Sequence, residues 1–339
     1  MATDIFQRIQ VSLDEKRQQV AGFLETASEA EKDACLCNDE TCVQEHLQVI
    51  EASLGKIETS TLGLCEVCHG AVDTSLLEMD YTSCVCLDHY SEDERRRLES
   101  ELELSQIVQR ALLPQRVPVI SGVEIAAFSR PAEIIGGDYF DFFKFRDGSH
   151  GLVIADVSGH GVSAGILMSS LQTAIQTMAP DAELPAEILE RINRFYIHNI
   201  NFTTFVTVFL ARYDFNSRTL TYVNSGHNPP VIFRRNGNTI DWLTRTAPAI
   251  GLDEHYYPRT ETVHLSSGDV LLLYTDGLTE VFNNEMQEFG AKRLAEFLQK
   301  AADLSPTDML QIIRRGVDAH SGDARLSDDL TLVALKVSD

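Results

Sequence analysis

Four groups of aspartates sit at the ends of apolar, strand-forming runs, and they are the residues here best suited to do chemistry. Asp156 is the first charge after Leu152-Val153-Ile154-Ala155, with Gly159 and Gly161 preceding a helix-forming run through Met168. Asp138 and Asp141 follow the pair Gly136-Gly137, Asp276 closes the run from Val270 to Thr275, and Asp328-Asp329 open the run from Leu330 to Leu335. A carboxylate at a strand end beside glycine turns lies where backbone can approach a ligand closely. Taken singly, each such aspartate reads as a turn cap. Brought together, they raise one another's pKa unless cations neutralise them. Oxygen-only donors favour magnesium, manganese or calcium over zinc.

A second set has sulfur and nitrogen donors. Cys65-x-x-Cys68 and Cys86-x-x-His89 have the paired spacing of a closed tetrahedral zinc site, which would fold a segment too small to hold itself together. Cys84 is a competing ligand. Cys35, Cys37, Cys42 and His46 form a looser group whose bland alternative is reduced, inert thiols. All seven cysteines precede residue 90, and the odd count argues against a complete disulfide framework.

The positioning elements follow from periodicity. Phe6, Ile9, Leu13, Val20 and Phe23, then Val43, Leu47, Ile50, Leu54 and Ile57, repeat at helical spacing and predict an antiparallel hairpin over residues 1–60. Residues 61–90 hold the zinc ligands, and 91–114 read as a charged linker helix capped by Ser91 and stopped by Pro114. Its apolar edge, Leu98, Leu102, Ile107, Ala111 and Leu112, predicts packing on a domain or on a second copy, hence a homodimer. Residues 115–339 read as α+β, with strands at 123–130, 139–146, 151–156, 204–213, 219–224, 230–235, 259–264, 270–275 and 330–337. Helices are expected at 160–178, 185–199, 290–302 and 306–319. Asn236-Gly237 marks a hairpin turn.

Hydrophobic residues at 44% and charged residues at 23% are ordinary for a soluble protein. A net charge of −23, from 28 basic and 51 acidic residues, argues against a broad nucleic-acid or anionic-membrane surface. No apolar run is long enough to span a bilayer and no signal pattern opens the chain, so a cytoplasmic protein is expected.

The ordered motifs of residues 115–339 resemble the SpoIIE/RsbU-type serine phosphatases of the metal-dependent (PPM, type 2C) superfamily. The resemblance rests on Gly136-Gly137-Asp138-Tyr139-Phe140-Asp141, Ala155-Asp156-Val157-Ser158-Gly159-His160-Gly161 and Asn224-Ser225-Gly226-His227-Asn228-Pro229-Pro230. Gly268-Asp269, Tyr274-Thr275-Asp276-Gly277, Phe289-Gly290 and Asp328-Asp329-Leu330-Thr331 complete it. The cysteine segment is similar to the zinc finger of the DksA/TraR type, with His89 in place of a fourth cysteine.

The phosphatase resemblance implies a four-layer α-β-β-α sandwich with two manganese or magnesium ions between the sheets. In it Asp156 bridges both ions with the Val157 carbonyl beside it, Asp276 and Asp328 complete one shell, Asp138 serves the other, and Asp329 can exchange roles with Asp328. Asp156, Asp276 and Asp328 are then the catalytic set. The implied activity is hydrolysis of phosphoserine or phosphothreonine by a two-metal-activated water, without a protein nucleophile. By the same analogy the substrate is a STAS-type anti-sigma-factor antagonist, with control exerted by the zinc module through the linker helix. The general acid stays open: Ser158 stands where eukaryotic relatives have histidine, and His160 is either catalytic or a turn residue. His227 is expected to be buried and hydrogen-bonded. The alternative is a non-catalytic zinc-finger interaction protein, binding RNA polymerase or a signalling partner, with a degenerate phosphatase domain.

Overall fold

Strands that are apolar on both faces need cover on both faces, and this dictates the architecture of the larger unit in the computed structural model. The structure describes residues 6, 9–10, 13–14, 17–18, 20–22, 40–72, 77, 82, 84–89, 91–132, 134–159, 161–199, 205–283, 285–322 and 328–338. The chain divides into two compact units, residues 1–101 with 201–203, and residues 102–200 with 204–339.

Among the described residues of the second unit, ten strands form two all-antiparallel sheets. One has the order β1 (Val123–Arg130), β10 (Leu330–Val337), β9 (Val270–Tyr274), β6 (Val231–Arg234), β7 (Thr239–Trp242). The other has the order β2 (Tyr139–Lys144), β3 (His150–Val157), β4 (Val206–Asp214), β5 (Thr219–Ser225), β8 (Glu261–His264). Strand period then sorts the side chains into three cores. Leu152 and Ile154 of β3, Phe209 and Ala211 of β4, Leu271 and Leu273 of β9, and Val333 and Leu335 of β10 share the layer between the sheets.

Their immediate neighbours point outwards. Val153, Ala155 and Val157, with Val208 and Leu210, pack under helices Gly161–Met178 and Pro185–Asn199 through Met168, Leu171, Ile188 and Ile192. Leu272, Tyr274, Leu332 and Ala334 pack under helices Gly290–Ala301 and Pro306–Ser321 through Leu294, Leu298, Met309 and Ile313. The result is the expected four-layer sandwich. Two local differences stand out. The Asn236-Gly237 hairpin closes with Arg234 opposite Thr239, so its loop is four residues long, with positive φ at Gly237 and Asn238. A short helix, Asp276–Thr279, replaces a simple turn after β9.

In the first unit, Leu13, Ile50 and Leu54 form a core with Ile9, Val20 and Ile57 against it, which pairs the helical residues within 6–22 with helix α1 (Glu40–Glu58). A second core joins Cys65, Val72 and Leu77 to Phe6, Ile9, Val85 and Cys86. Phe23, Cys35 and Cys37 lie outside the described residues, as do the side chains of Val43, Cys42 and His46. Helix α2 (Glu92–Leu112) starts on a capping box: the Ser91 hydroxyl and N–H donate to Glu94 Oε2 at 2.7 and 2.8 Å, and the Glu94 N–H returns to Ser91 Oγ.

Candidate metal centre and active site

Asp138, Asp156, Asp276 and Asp328 come from the ends of β2, β3, β9 and β10, which belong to two different sheets. The site therefore opens at one end of the sandwich. Burial, then the charges of Asp276, Asp328, Asp329 and Glu280, push the Asp156 carboxyl up to about 8. Burial, then Asp156 and Asp329, raise Asp138 well above the usual carboxylate range. Asp276 is raised by burial and by Asp329. Carboxylates held this close repel one another and are short of positive charge, and their oxygen-only donor set fits a hard divalent cation.

Close backbone packing makes the convergence possible. A side chain at Gly277 would strike the Asp329 carbonyl, so glycine lets the helix after β9 settle against the start of β10. A Cβ at Gly136 would lie 2.5 Å from Asp329 Oδ2. Asp329 is 8% exposed, and its oxygens are engaged by this loop. Ala132 N–H donates to Oδ1 at 2.7 Å and Gly137 N–H to Oδ2 at 2.6 Å. Its neighbour Asp328 is exposed. The Thr275 hydroxyl donates to Asp138 Oδ2 at 2.8 Å and accepts from Thr331 N–H at 3.0 Å, which ties the β9 and β10 ends to Asp138.

Asp141 belongs elsewhere, although it is only three residues from Asp138. It accepts from the Tyr139 hydroxyl, from Gln176 Nε2 at 2.6 Å and from Phe142 N–H, a satisfied carboxylate that fastens β2 to the helix above it. His227 is 1% exposed, and its Nδ1 meets Thr207 Oγ1 at 2.8 Å. Burial holds it neutral, pushing its pKa down to about 3. Ser158 Oγ accepts from Phe205 N–H at 2.9 Å. His160 lies outside the described residues.

Two residues gave no sequence signal. Gln109 of α2 is buried and grips the metal loop at both backbone groups of Gly136, donating to its carbonyl at 2.6 Å and accepting from its N–H at 3.1 Å. Arg245 lines a cavity of about 480 Å³ together with Asp156, Asp276, Glu280 and His227.

A model of the family described as Stage II sporulation protein E (SpoIIE) matches residues 146–338, more than half of the chain. The chain belongs to the SpoIIE family. The phosphoserine phosphatase RsbU of Bacillus subtilis (strain 168) is 29% identical to the chain over 242 residues, 71% of either sequence. Among solved structures, the SiaA-PP2C domain of Pseudomonas aeruginosa superposes with a TM-score of 0.65 at 21% identity, over 72% of this chain and 99% of that one. The RsbU and RsbW domains of Rv1364c from Mycobacterium tuberculosis superpose with a TM-score of 0.56 at 28% identity, over 67% of this chain and 63% of that one. The SpoIIE domain thus has the PP2C fold, and the chain is a metal-dependent protein serine phosphatase.

In the first unit, the structure brings Cys65, Cys68, Cys86 and His89 together, with their ligand atoms all within 4.8 Å of one another. Val67 N–H points at Cys65 Sγ and Gly70 N–H at Cys68 Sγ, each at 3.4 Å, so two equivalent turns present the two sulfurs. Burial opposes the Cys65 thiolate, and hydrogen bonds from the backbone of Cys68, Cys86 and Val67 override it, bringing the thiol down to about 6. Three sulfurs and one imidazole at this spacing suit zinc.

Proposed function

We propose that this SpoIIE domain hydrolyses phosphoserine or phosphothreonine on a phosphorylated STAS-type antagonist of an anti-sigma factor, using two manganese or magnesium ions. The observation that carries the reading is the convergence of four carboxylates from two sheets, three of which, Asp138, Asp156 and Asp276, are held in a more basic state than an isolated aspartate. We assign Asp156 to both ions with the Val157 carbonyl beside it, Asp276 and Asp328 to one, and Asp138 to the other. Asp329, with both oxygens bonded by the 132–137 loop, is given the role of clamp. Two such cations held by these residues would supply a water acidic enough to deprotonate near neutral pH and would neutralise the phosphoryl oxygens of the ester.

The residues of the chain do the rest. Asp329 and Gln109 fix the loop that carries Asp138, and Thr275 orients the Asp138 carboxylate. His227, buried and held neutral, has no imidazolium proton to donate at working pH, so we assign protonation of the leaving serine alkoxide to water. The substrate class is supported by the phosphoserine phosphatase name of the Bacillus relative and by the pairing of RsbU and RsbW domains in the mycobacterial structure.

The test is hydrolysis of p-nitrophenyl phosphate. Turnover that appears with millimolar manganese and vanishes with chelator supports the reading, and no turnover in either condition supports the non-catalytic alternative.

We further propose that α2 makes the chain a homodimer. Leu104, Ile107 and Val108 are 61%, 64% and 55% exposed on one helix, an edge that a second copy would cover. Light scattering at micromolar concentration should give twice the chain mass, and Ile107→Lys should return it to one. A monomeric wild type would remove the dimer. A zinc ion on Cys65, Cys68, Cys86 and His89 is proposed to hold the regulatory module, with α2 relaying its state to Gly136 through Gln109. Among the described residues no helix is long and apolar enough to cross a membrane.

A further inference from the structure

A phosphate monoester brings up to two negative charges into a cavity whose walls already carry Asp156, Asp276 and Glu280, in a chain of net charge −23. Among the described residues that line it, Arg245 is the one guanidinium. Its side chain is exposed. We propose that Arg245 grips the phosphoryl oxygens of the substrate, and of the phosphate released from it, across the cavity from the carboxylate centre. This rests on the phosphatase reading and adds to it an anion-binding residue from a segment outside all the sequence motifs.

The backbone around Arg245 is held more firmly than its side chain. Asn224 Nδ2 donates to the Leu243 carbonyl at 3.0 Å, and Asn224 N–H donates to Thr246 Oγ1 at 3.0 Å. The N–H groups of Thr246 and Ala247 return to the Asn224 carbonyl at 2.8 and 3.1 Å. Ser225 Oγ donates to the Pro248 carbonyl at 2.6 Å. Gly226, at φ +74°, leaves room for Ala249, which would lie 2.9 Å from any Cβ there. The segment Asn224-Ser225-Gly226 therefore anchors the loop on both sides of Arg245, and the next residue, His227, lines the same cavity and feels the Arg245 charge. The rigid loop fixes where the side chain starts, and the planar guanidinium fork matches two phosphoryl oxygens at once.

The experiment is calorimetric titration of inorganic phosphate into the manganese-loaded full chain, in wild type, Arg245→Ala and Arg245→Lys, beside steady-state kinetics on p-nitrophenyl phosphate. Arg245→Ala should weaken phosphate binding and raise KM by roughly 10- to 100-fold, the loss of a charge-assisted contact, with kcat changing far less. Manganese affinity should not change, and Arg245→Lys should recover part of the loss. Equal phosphate affinity in wild type and Arg245→Ala overturns the proposal, as does a matching loss of manganese affinity. The two readings fail separately. A wild type that binds phosphate through Arg245 but cleaves no ester defeats the phosphatase assignment alone, and one that cleaves ester with Arg245→Ala unaltered defeats Arg245 alone.

Discussion

Asp156→Asn should abolish manganese-dependent phosphatase activity, by roughly a thousand-fold or more, which corresponds to about 4 kcal/mol of lost transition-state stabilisation. It should also make the metal-free protein more stable. Asp156 titrates at about 8 in the folded chain against 3.8 for a free side chain. The folded state therefore binds this proton more tightly than the unfolded state does. Its stabilising contribution is complete below about pH 4, falls as pH rises, and is lost once pH passes about 8. Asparagine carries no charge and escapes that loss. In chelator at pH 8 the variant should melt several degrees above wild type, and at pH 4 the two should converge. Manganese should reverse the order at pH 8, because cation binding stabilises only the chain that retains the donor. Thermal melts at the two pH values, with chelator and with manganese, check all three statements. A wild type that is the more stable protein in chelator at pH 8 would show that its carboxylates are not in conflict.

Stripping zinc should have the largest effect on the first unit. Structural zinc contributes on the order of 10 kcal/mol to small domains of this type, and the second core of the unit is built on Cys65 and Cys86 themselves. Cys65→Ser should lose one zinc per chain by elemental analysis. It should also open residues 61–89 to limited proteolysis and loosen the packing of Phe6 and Ile9, which share that core. The sandwich of the second unit, with cores of its own, should keep its protease resistance. An unchanged proteolytic map in the zinc-free variant would make the cluster dispensable for folding.

What the sequence revealed and what it hid divide along a physical line. Strands β3, β9 and β10 are legible because a four-layer sandwich needs both of their faces apolar, and unbroken runs such as Val270 to Tyr274 advertise that. The aspartates stand out because charge follows directly on such runs. Which aspartates meet is a question of long-range approach, and spacing misleads there. Asp141 looks like a partner of Asp138, yet it faces Gln176 and Tyr139. Asp328 and Asp329 are adjacent and chemically identical, yet one is exposed and the other is drawn under the glycine loop. The helix at Asp276–Thr279 was unreadable because it depends on Gly277 packing against a carbonyl some fifty residues away. Gln109 and Arg245 carry no local mark either, since each gains its role from a loop or strand end distant in the chain.

The central claim is that aspartates scattered along the chain cage a pair of hard cations. Anomalous diffraction from crystals soaked in millimolar manganese tests it most directly. The account requires two peaks within coordination distance of Asp156, one shared with Asp276 and Asp328 and the other with Asp138. Diffraction with no anomalous signal at that end of the sandwich, and with those carboxylates turned to solvent, would contradict it.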